Sequence, residues 1–179
     1  MLRLFAALPV PDFIADRAVA IQAGVPGARW SPRANLHVTL RFIGEVSEDV
    51  ASDVDAALAG ISHPPFSLQL GAAGWFGGDQ PHALHLHVDG GEALRVLQKR
   101  CEKACRSAGL APVTASYTPH LTLAYLRGGT HPDRVMAFVR NQSLFRADPW
   151  IADRFYLYSS HMGSGPSQYR IEAEYPLLG

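Results

Sequence analysis

An α+β fold, with sheets carrying helices on an outer face, is predicted for this 179-residue chain by three observations. Strand-like and helix-like segments follow one another irregularly, as strand–helix–strand–helix–strand–strand–helix–strand–helix–strand–strand. One short pattern occurs twice on strand-like runs, His37-Val38-Thr39-Leu40 and His120-Leu121-Thr122-Leu123. Each copy is followed by a turn and then a helix, with no low-complexity linker between the two halves. The repetition suggests two related lobes that share a tight interface.

Leu2 to Leu8 is apolar and reads as a strand, and Pro11 to Ala23 as a helix with Phe13, Ile14, Ala18 and Ile21 on one side. Val25-Pro26-Gly27 forms a loop that leads through Trp30 to the first His-x-Thr strand. Ser47 is placed to cap a helix carrying Val50, Val54, Ala57 and Leu58, which Gly60 ends. Phe66 to Leu70 alternates as a strand, and the glycines of Gly71 to Gly78 predict a bend. Ala83 to Val88 is a further strand. After the turn at Asp89-Gly90-Gly91, a long helix runs from Glu92 to Ala108, with Leu94, Leu97, Cys101, Ala104, Cys105 and Ala108 as its apolar stripe. The second His-x-Thr strand, a turn at Gly128-Gly129 and a helix from Pro132 to Arg140 follow. Strands at Ile151–Ser159 and Gln168–Tyr175 complete the order.

A hydrophobic fraction of 47% and a formal charge of zero describe a globular domain. They exclude a polybasic protein that coats long nucleic acid, but leave room for a small molecule or a nucleic-acid end. Cys101 and Cys105, four apart on one helix, read as reduced and partly buried. The apolar opening is cut short by Pro9, Pro11 and Asp12, unlike a signal peptide, and no run approaches the ~18 apolar residues of a membrane span. These features predict a soluble, cytoplasmic protein.

With 8 His and 5 Thr in the chain, chance placement gives about 0.2 His-x-Thr matches, and two are present, both followed by Leu. In a strand, residues i and i+2 share a face, so each copy presents an imidazole and a hydroxyl together. Leu36, Val38, Leu40, Leu121 and Leu123 then face the core. Two imidazoles that titrate near neutrality, flanking a phosphorus centre, could deprotonate an attacking water and protonate a departing oxygen. Thr39 and Thr122 would donate to non-bridging phosphate oxygens as charge builds on them. Strict alternation puts Arg41 on the face of His37 and Thr39, in reach of phosphate or a base, and puts Tyr125 on the face opposite His120.

The runs Asn35-Leu36-His37-Val38-Thr39-Leu40-Arg41-Phe42-Ile43-Gly44-Glu45 and Pro119-His120-Leu121-Thr122-Leu123-Ala124 resemble the paired motifs of the 2H phosphoesterase superfamily. Within it they are most similar to the RNA 2′,3′-cyclic phosphodiesterases, also called 2′-5′ RNA ligases. The likeness extends over nearly the whole chain, including Arg29-Trp30 and the stretch from Ser159 to Tyr169. The resemblance implies one domain over residues 1–179, with two related lobes, each an antiparallel sheet with helices on its outer face, around a central cleft. It implies hydrolysis of a terminal 2′,3′-cyclic phosphate to a 2′-phosphate with neither metal nor other cofactor, and reversible 2′-5′ joining of RNA. By carry-over His37 is the proton donor and His120 the proton acceptor, roles that the residues alone leave open. The partner implied is an RNA 3′ end or a small nucleotide with a cyclic phosphate, met by a monomer. Where relatives carry arginine after the second motif this chain has Tyr125, so phosphate contact falls to Arg41 or Arg127, with Tyr125 either stacked on a base or buried.

Two other readings compete. His85 and His87 share a strand face near His82 and Asp79, a spacing usable for zinc if a further ligand is brought in. A domain that binds RNA ends without turnover would keep the fold and lose the chemistry. His63, His131 and His161 lie beside Pro or Gly and read as surface residues.

Overall fold

The computed structural model describes all 179 residues, Met1 to Gly179. The strands are β1 (Leu2–Pro9), β2 (Arg29–Trp30), β3 (His37–Val46), β4 (Phe66–Phe76), β5 (Ala83–Asp89), β6 (His120–Tyr125), β7 (Trp150–Ala152), β8 (Arg154–His161) and β9 (Gln168–Pro176). The helices are α1 (Asp12–Val19), α2 (Glu48–Ala59), α3 (Gly91–Ser107) and α4 (Pro132–Asn141). A short 3₁₀ turn at Arg33–Asn35 precedes β3. The order expected from sequence holds, with β2 added and the strand near 151–159 divided into β7 and β8.

All pairings are antiparallel and form one path, β7-β4-β5-β6-β3-β1-β8-β9, with β2 alongside β6. The path is nearly cut in the middle. β3 and β6 meet through a single residue pair, Val38↔Leu121, so the sheet divides into β7-β4-β5-β6, with β2 beside β6, and β3-β1-β8-β9. Those halves are the two lobes, and their sheets are continuous through that pair.

Local chemistry explains the elements. The Ser47 hydroxyl accepts from the Val50 N–H and caps α2, while Glu48 and Asp49 complement its dipole. On α3, Leu94, Leu97, Cys101, Ala104 and Cys105 are buried, as their spacing requires, and both cysteines are free thiols. The core is one cluster in which Leu4, Leu8, Val38, Leu40, Leu84, Leu86, Leu121 and Leu123 from the strands join apolar faces of the helices. α2 packs on α3 and on β1 and β9, α3 lies against β3, and α4 against β4. The opposite face of the sheet carries the polar members of each strand.

Two expectations fail here for identifiable reasons. The segment Gly71–Gly78 does not bend away at Gly71, because β4 runs on to Phe76. Ala73, Gly74, Trp75 and Phe76 pair with Leu86, His85, Leu84 and Ala83, and an irregularity between Leu70 and Ala73 absorbs the kink. His63 is 3% exposed, not a surface residue, with Nδ1 against the Pro64 carbonyl and Nε2 against that of Ala93.

Candidate active site

The two His-x-Thr runs open β3 and β6, the strands that join the lobes. Antiparallel register continued from Val38↔Leu121 sets His37 across from Thr122 and Thr39 across from His120. A pseudo-two-fold axis therefore passes between the motifs. Val38 and Leu121 point into the core at 0% exposure, which turns all four histidine and threonine side chains of the motifs to the other face.

The ring orientations match. His37 Nδ1 lies 2.7 Å from the Asn35 carbonyl, and His120 Nδ1 lies 2.7 Å from the Thr118 carbonyl. A carbonyl only accepts, so Nδ1–H donates in both rings and Nε2 is the unprotonated nitrogen of each neutral ring. Asn35 is itself held, since its side-chain amide donates to the Ser167 carbonyl at 2.7 Å and ties the β8–β9 loop to the start of β3. His37 Nε2 and Thr39 Oγ are 3.1 Å apart. Behind Thr39, the Tyr117 hydroxyl donates to the Thr39 carbonyl at 2.9 Å.

Surroundings differ between the rings. His37 is packed by Phe5, Tyr169 and Tyr158, with centroids 4.8, 5.4 and 6.3 Å away. Burial pushes its pKa down to about 4, repulsion from His120 adds to this, and the Asn35 carbonyl opposes it. His120 touches Phe76 edge-on at 4.8 Å and His85 at 5.6 Å. Its pKa is also lowered by burial, against the Thr118 carbonyl. Burial raises the Tyr158 hydroxyl to about 12, which keeps it neutral beside His37.

A matched pair of bulges decides where the remaining expected residues go. Between β1 and β3 the register slips from Ala7↔Thr39 to Ala6↔Arg41, and between β5 and β6 from His85↔Thr122 to Leu84↔Ala124. Each slip adds one residue, Leu40 or Leu123, so two successive side chains turn inward. Arg41 consequently leaves the face of His37 and Thr39, contrary to the alternation read from sequence. At 7% exposure it forms an ion pair with Glu102 of α3, and its Nη2 donates to the Ala111 carbonyl at 2.7 Å. The same bulge on β6 buries Ala124 and brings Tyr125 to the His120 side. Phe42 and Tyr125 are equivalent positions, 50% and 47% exposed. Tyr125 is thus neither buried nor on the far face. It reaches towards the other lobe closely enough to add to the upward shift of Tyr169, whose main cause is burial.

Arg127 sits on the exposed turn after β6, where its carbonyl accepts from the Thr130 N–H and hydroxyl. The cross-strand pair Arg29↔Tyr125 sets a second exposed guanidinium beside the Tyr125 ring. Sequence reasoning missed Arg29 as a site residue because β2 is too short to show a strand pattern. It also missed the aromatic wall of Phe5, Phe76, Tyr158 and Tyr169, whose members come from four strands. His85 and His87 do share a face, paired with Thr122 and His120, but no group of three or more His, Cys, Asp or Glu side chains lies together in a way that could hold a metal ion. The zinc alternative therefore lacks a ligand set.

A curled antiparallel sheet with helices on one face and two inverted histidine–threonine strands on the other defines a two-histidine, two-lobed class of protein. The chain belongs to the 2′-5′ RNA ligase superfamily, the 2H phosphoesterases, whose family model matches residues 10–163. It is 36% identical over 108 residues to an RNA 2′,3′-cyclic phosphodiesterase of Aeropyrum pernix, a match spanning 59% of this chain and 61% of that protein. A relative of the same name from Bacillus subtilis is 29% identical over 168 residues, 90% of each chain. Among solved structures, E. coli LigT complexed with 3′-AMP superposes with a TM-score of 0.79 at 23% identity, covering 99% of both chains. TT0787 of Thermus thermophilus gives 0.82 at 22% identity, over 99% of this chain and 98% of that one. At these identities the structural likeness establishes the shared fold.

Proposed function

We propose that the chain is an RNA 2′,3′-cyclic phosphodiesterase, a cyclic phosphodiester hydrolase that uses its two histidines as acid and base. The observation that carries this reading is the inverted pairing of the motifs across Val38↔Leu121, with both Nδ1 atoms engaged by carbonyls, His37 Nε2 against the Thr39 hydroxyl and His120 Nε2 without a partner. The names of the A. pernix and B. subtilis relatives point to the same reaction.

Water attacks the phosphorus of the cyclic phosphate as its proton passes to His120 Nε2. The bond from phosphorus to O3′ breaks, and O3′ takes the proton carried by His37 Nε2. The products are a 2′-phosphate and a free 3′-hydroxyl, so atoms and charge balance without another reactant. Thr39 and Thr122 donate to the non-bridging oxygens. An anionic substrate between the rings raises the depressed pKa of His37, which loads the acid only when the phosphate is present. Tyr125 offers a stacking surface to a base, and Arg29 and Arg127 offer charge to the strand behind it. With an RNA 5′-hydroxyl in place of water as the nucleophile, the same steps join RNA through a 2′-5′ linkage. In this reading the whole chain, 1–179, is one bilobal unit acting as a cytoplasmic monomer on an RNA 3′ end. A small nucleotide cyclic phosphate is the second candidate substrate, and a formal charge of zero fits it as well as contact with an RNA end alone.

The test is hydrolysis of a short oligoribonucleotide ending in a 2′,3′-cyclic phosphate, in EDTA, with the position of the product phosphate determined. A 2′-phosphate from the wild type and none from His37→Ala or His120→Ala supports the reading. Tight binding without turnover, unchanged in both variants, would replace it with an RNA-end binding role.

A further inference from the structure

We propose that His85 is a third substrate-contacting histidine, which donates from Nε2 to a non-bridging phosphate oxygen on the His120 side of the cleft. This rests on the reading that the cleft receives a phosphoester, and it adds a contact that the His-x-Thr motifs do not contain.

Position comes first. His85 pairs in register with Thr122, and its ring lies 5.6 Å from that of His120 and 4.3 Å from that of Phe76, stacked on the latter at 29°. It therefore shares the face on which the phosphate would sit, beside one hydroxyl and one imidazole already assigned to it. The pseudo-symmetry makes the placement pointed: the equivalent residue of the other lobe, paired with Thr39, is Ala7. One lobe fills this position with a methyl group and the other with an imidazole.

The backbone makes room for that ring. A Cβ at Gly74 would lie 2.8 Å from His85 Cε1 and 3.0 Å from Nε2. Only glycine leaves the space, and its φ is not positive, so turn geometry does not account for it. The phenyl of Phe76 then fixes the ring plane.

Tautomer follows from burial. Nδ1 of His85 is buried with no hydrogen-bond partner. Placing the proton there would strand a buried donor, so the neutral ring carries it on Nε2. Nε2 makes no bond within the protein and is not among the buried atoms, which leaves it free for a ligand. The ring is held neutral, its pKa lowered to about 4 by burial and then by His120 and His87, against the Leu86 carbonyl, which is not placed to accept a hydrogen bond from Nδ1. No acidic or basic side chain of the paired β4 segment, Ala73 to Phe76, faces it. A neutral donor remains a donor across the working pH range. It also meets a need, because Arg41 is committed to Glu102 and the His120 side otherwise offers the phosphate only one hydroxyl and the catalytic ring.

The test measures binding of inorganic phosphate and of 2′-AMP by calorimetry, with KM and kcat on the cyclic substrate. His85→Phe keeps an aromatic ring against Phe76 and His120 and removes the donor. It should weaken both ligands about tenfold or more and raise KM with little change in kcat. His85→Gln, which can set an amide N–H near the Nε2 position, should recover part of the loss. Wild-type phosphate affinity in His85→Phe overturns the proposal, and so does a loss that Gln does not relieve, since that marks a packing role. Should His85→Phe fail to fold, Gly74→Ala displaces the ring by steric contact alone. Weaker phosphate binding then supports the contact and unchanged binding overturns it. If phosphate binding depends on His85 while the cyclic phosphate is not hydrolysed, the contact stands and the proposed activity falls.

Discussion

Around His37 the cleft wall is aromatic throughout, whereas around His120, which is equally half-buried, it combines one phenyl ring with a second imidazole. Both rings stand on the same backbone frame: a His-x-Thr strand, a carbonyl two residues back on Nδ1, and a bulge one residue beyond the threonine. What differs is the next layer. Phe5, Tyr158 and Tyr169 enclose His37, and Thr39 occupies its Nε2. His120 has Phe76 and His85 beside it, and its Nε2 has no partner within the chain. A duplicated frame thus supplies geometry, while unduplicated neighbours set how each ring handles its proton. A ring closed in by aromatics gains its proton only with an anion present, which suits an acid. A ring with a free Nε2 can accept from water, which suits a base.

The largest effect expected is from deleting either ring. His37→Ala and His120→Ala should each lose about 10² to 10⁴ in kcat, the usual contribution of a general acid or base. The comparison sharpens if a substrate with a good leaving group at O3′ restores His37→Ala and not His120→Ala, because only the acid becomes dispensable. Equal rescue of both would break the assignment of roles.

Next is Arg41, which the structure moves from the cleft to the core. Arg41→Ala leaves Glu102 without its partner under α3 and should cost about 3–5 kcal/mol of stability, as for breaking a buried ion pair. Denaturant unfolding measures this, and KM in the folded fraction should stay near wild type. A variant of normal stability with a greatly raised KM would return Arg41 to the substrate. The error in reading Arg41 and that in reading Tyr125 have one cause. The motif faces, the α3 stripe and the Ser47 cap are local patterns, and they were legible. A bulge is set by register with a neighbouring strand, and nothing in Leu40-Arg41-Phe42 or Leu123-Ala124-Tyr125 announces it. The aromatic wall and Arg29 were hidden similarly, since pairing from several strands brings them together. The motifs were expected in two lobes around a cleft, and the structure makes them neighbours in one sheet at Val38↔Leu121.

The threonines come third. Thr122→Val should lower kcat about 10²-fold if its hydroxyl meets developing charge on the phosphate. Thr39→Val should lower it similarly and should also move the pH profile, because only Thr39 is bonded to its histidine. Identical pH profiles for the two variants would show that the hydroxyl contact of Thr39 has no bearing on the His37 proton.

The smallest effect is on stability against pH, and its sign follows from the depressed pKa of His37. In the unfolded chain a histidine takes up a proton near pH 6.5, whereas the folded protein resists doing so at His37 until about pH 4. Between those limits the unfolded state binds more protons, so stability falls as pH is lowered through that window and is flat above it. His120 is shifted the same way and adds to the slope. Urea unfolding at pH 7, 5.5 and 4.5 should show this loss, and His37→Gln should flatten more of it than His131→Gln, a control at an exposed turn. Phosphate in the buffer should reverse part of the loss, because an anion between the rings favours their charged forms. Because both rings are shifted below the usual imidazole value in the free enzyme, kcat/KM should reach its maximum below pH 6.5. A profile centred above pH 7, with stability insensitive to pH between 4.5 and 7, would mean that the aromatic enclosure of His37 does not govern its proton and that the two halves are alike in chemistry as well as in frame.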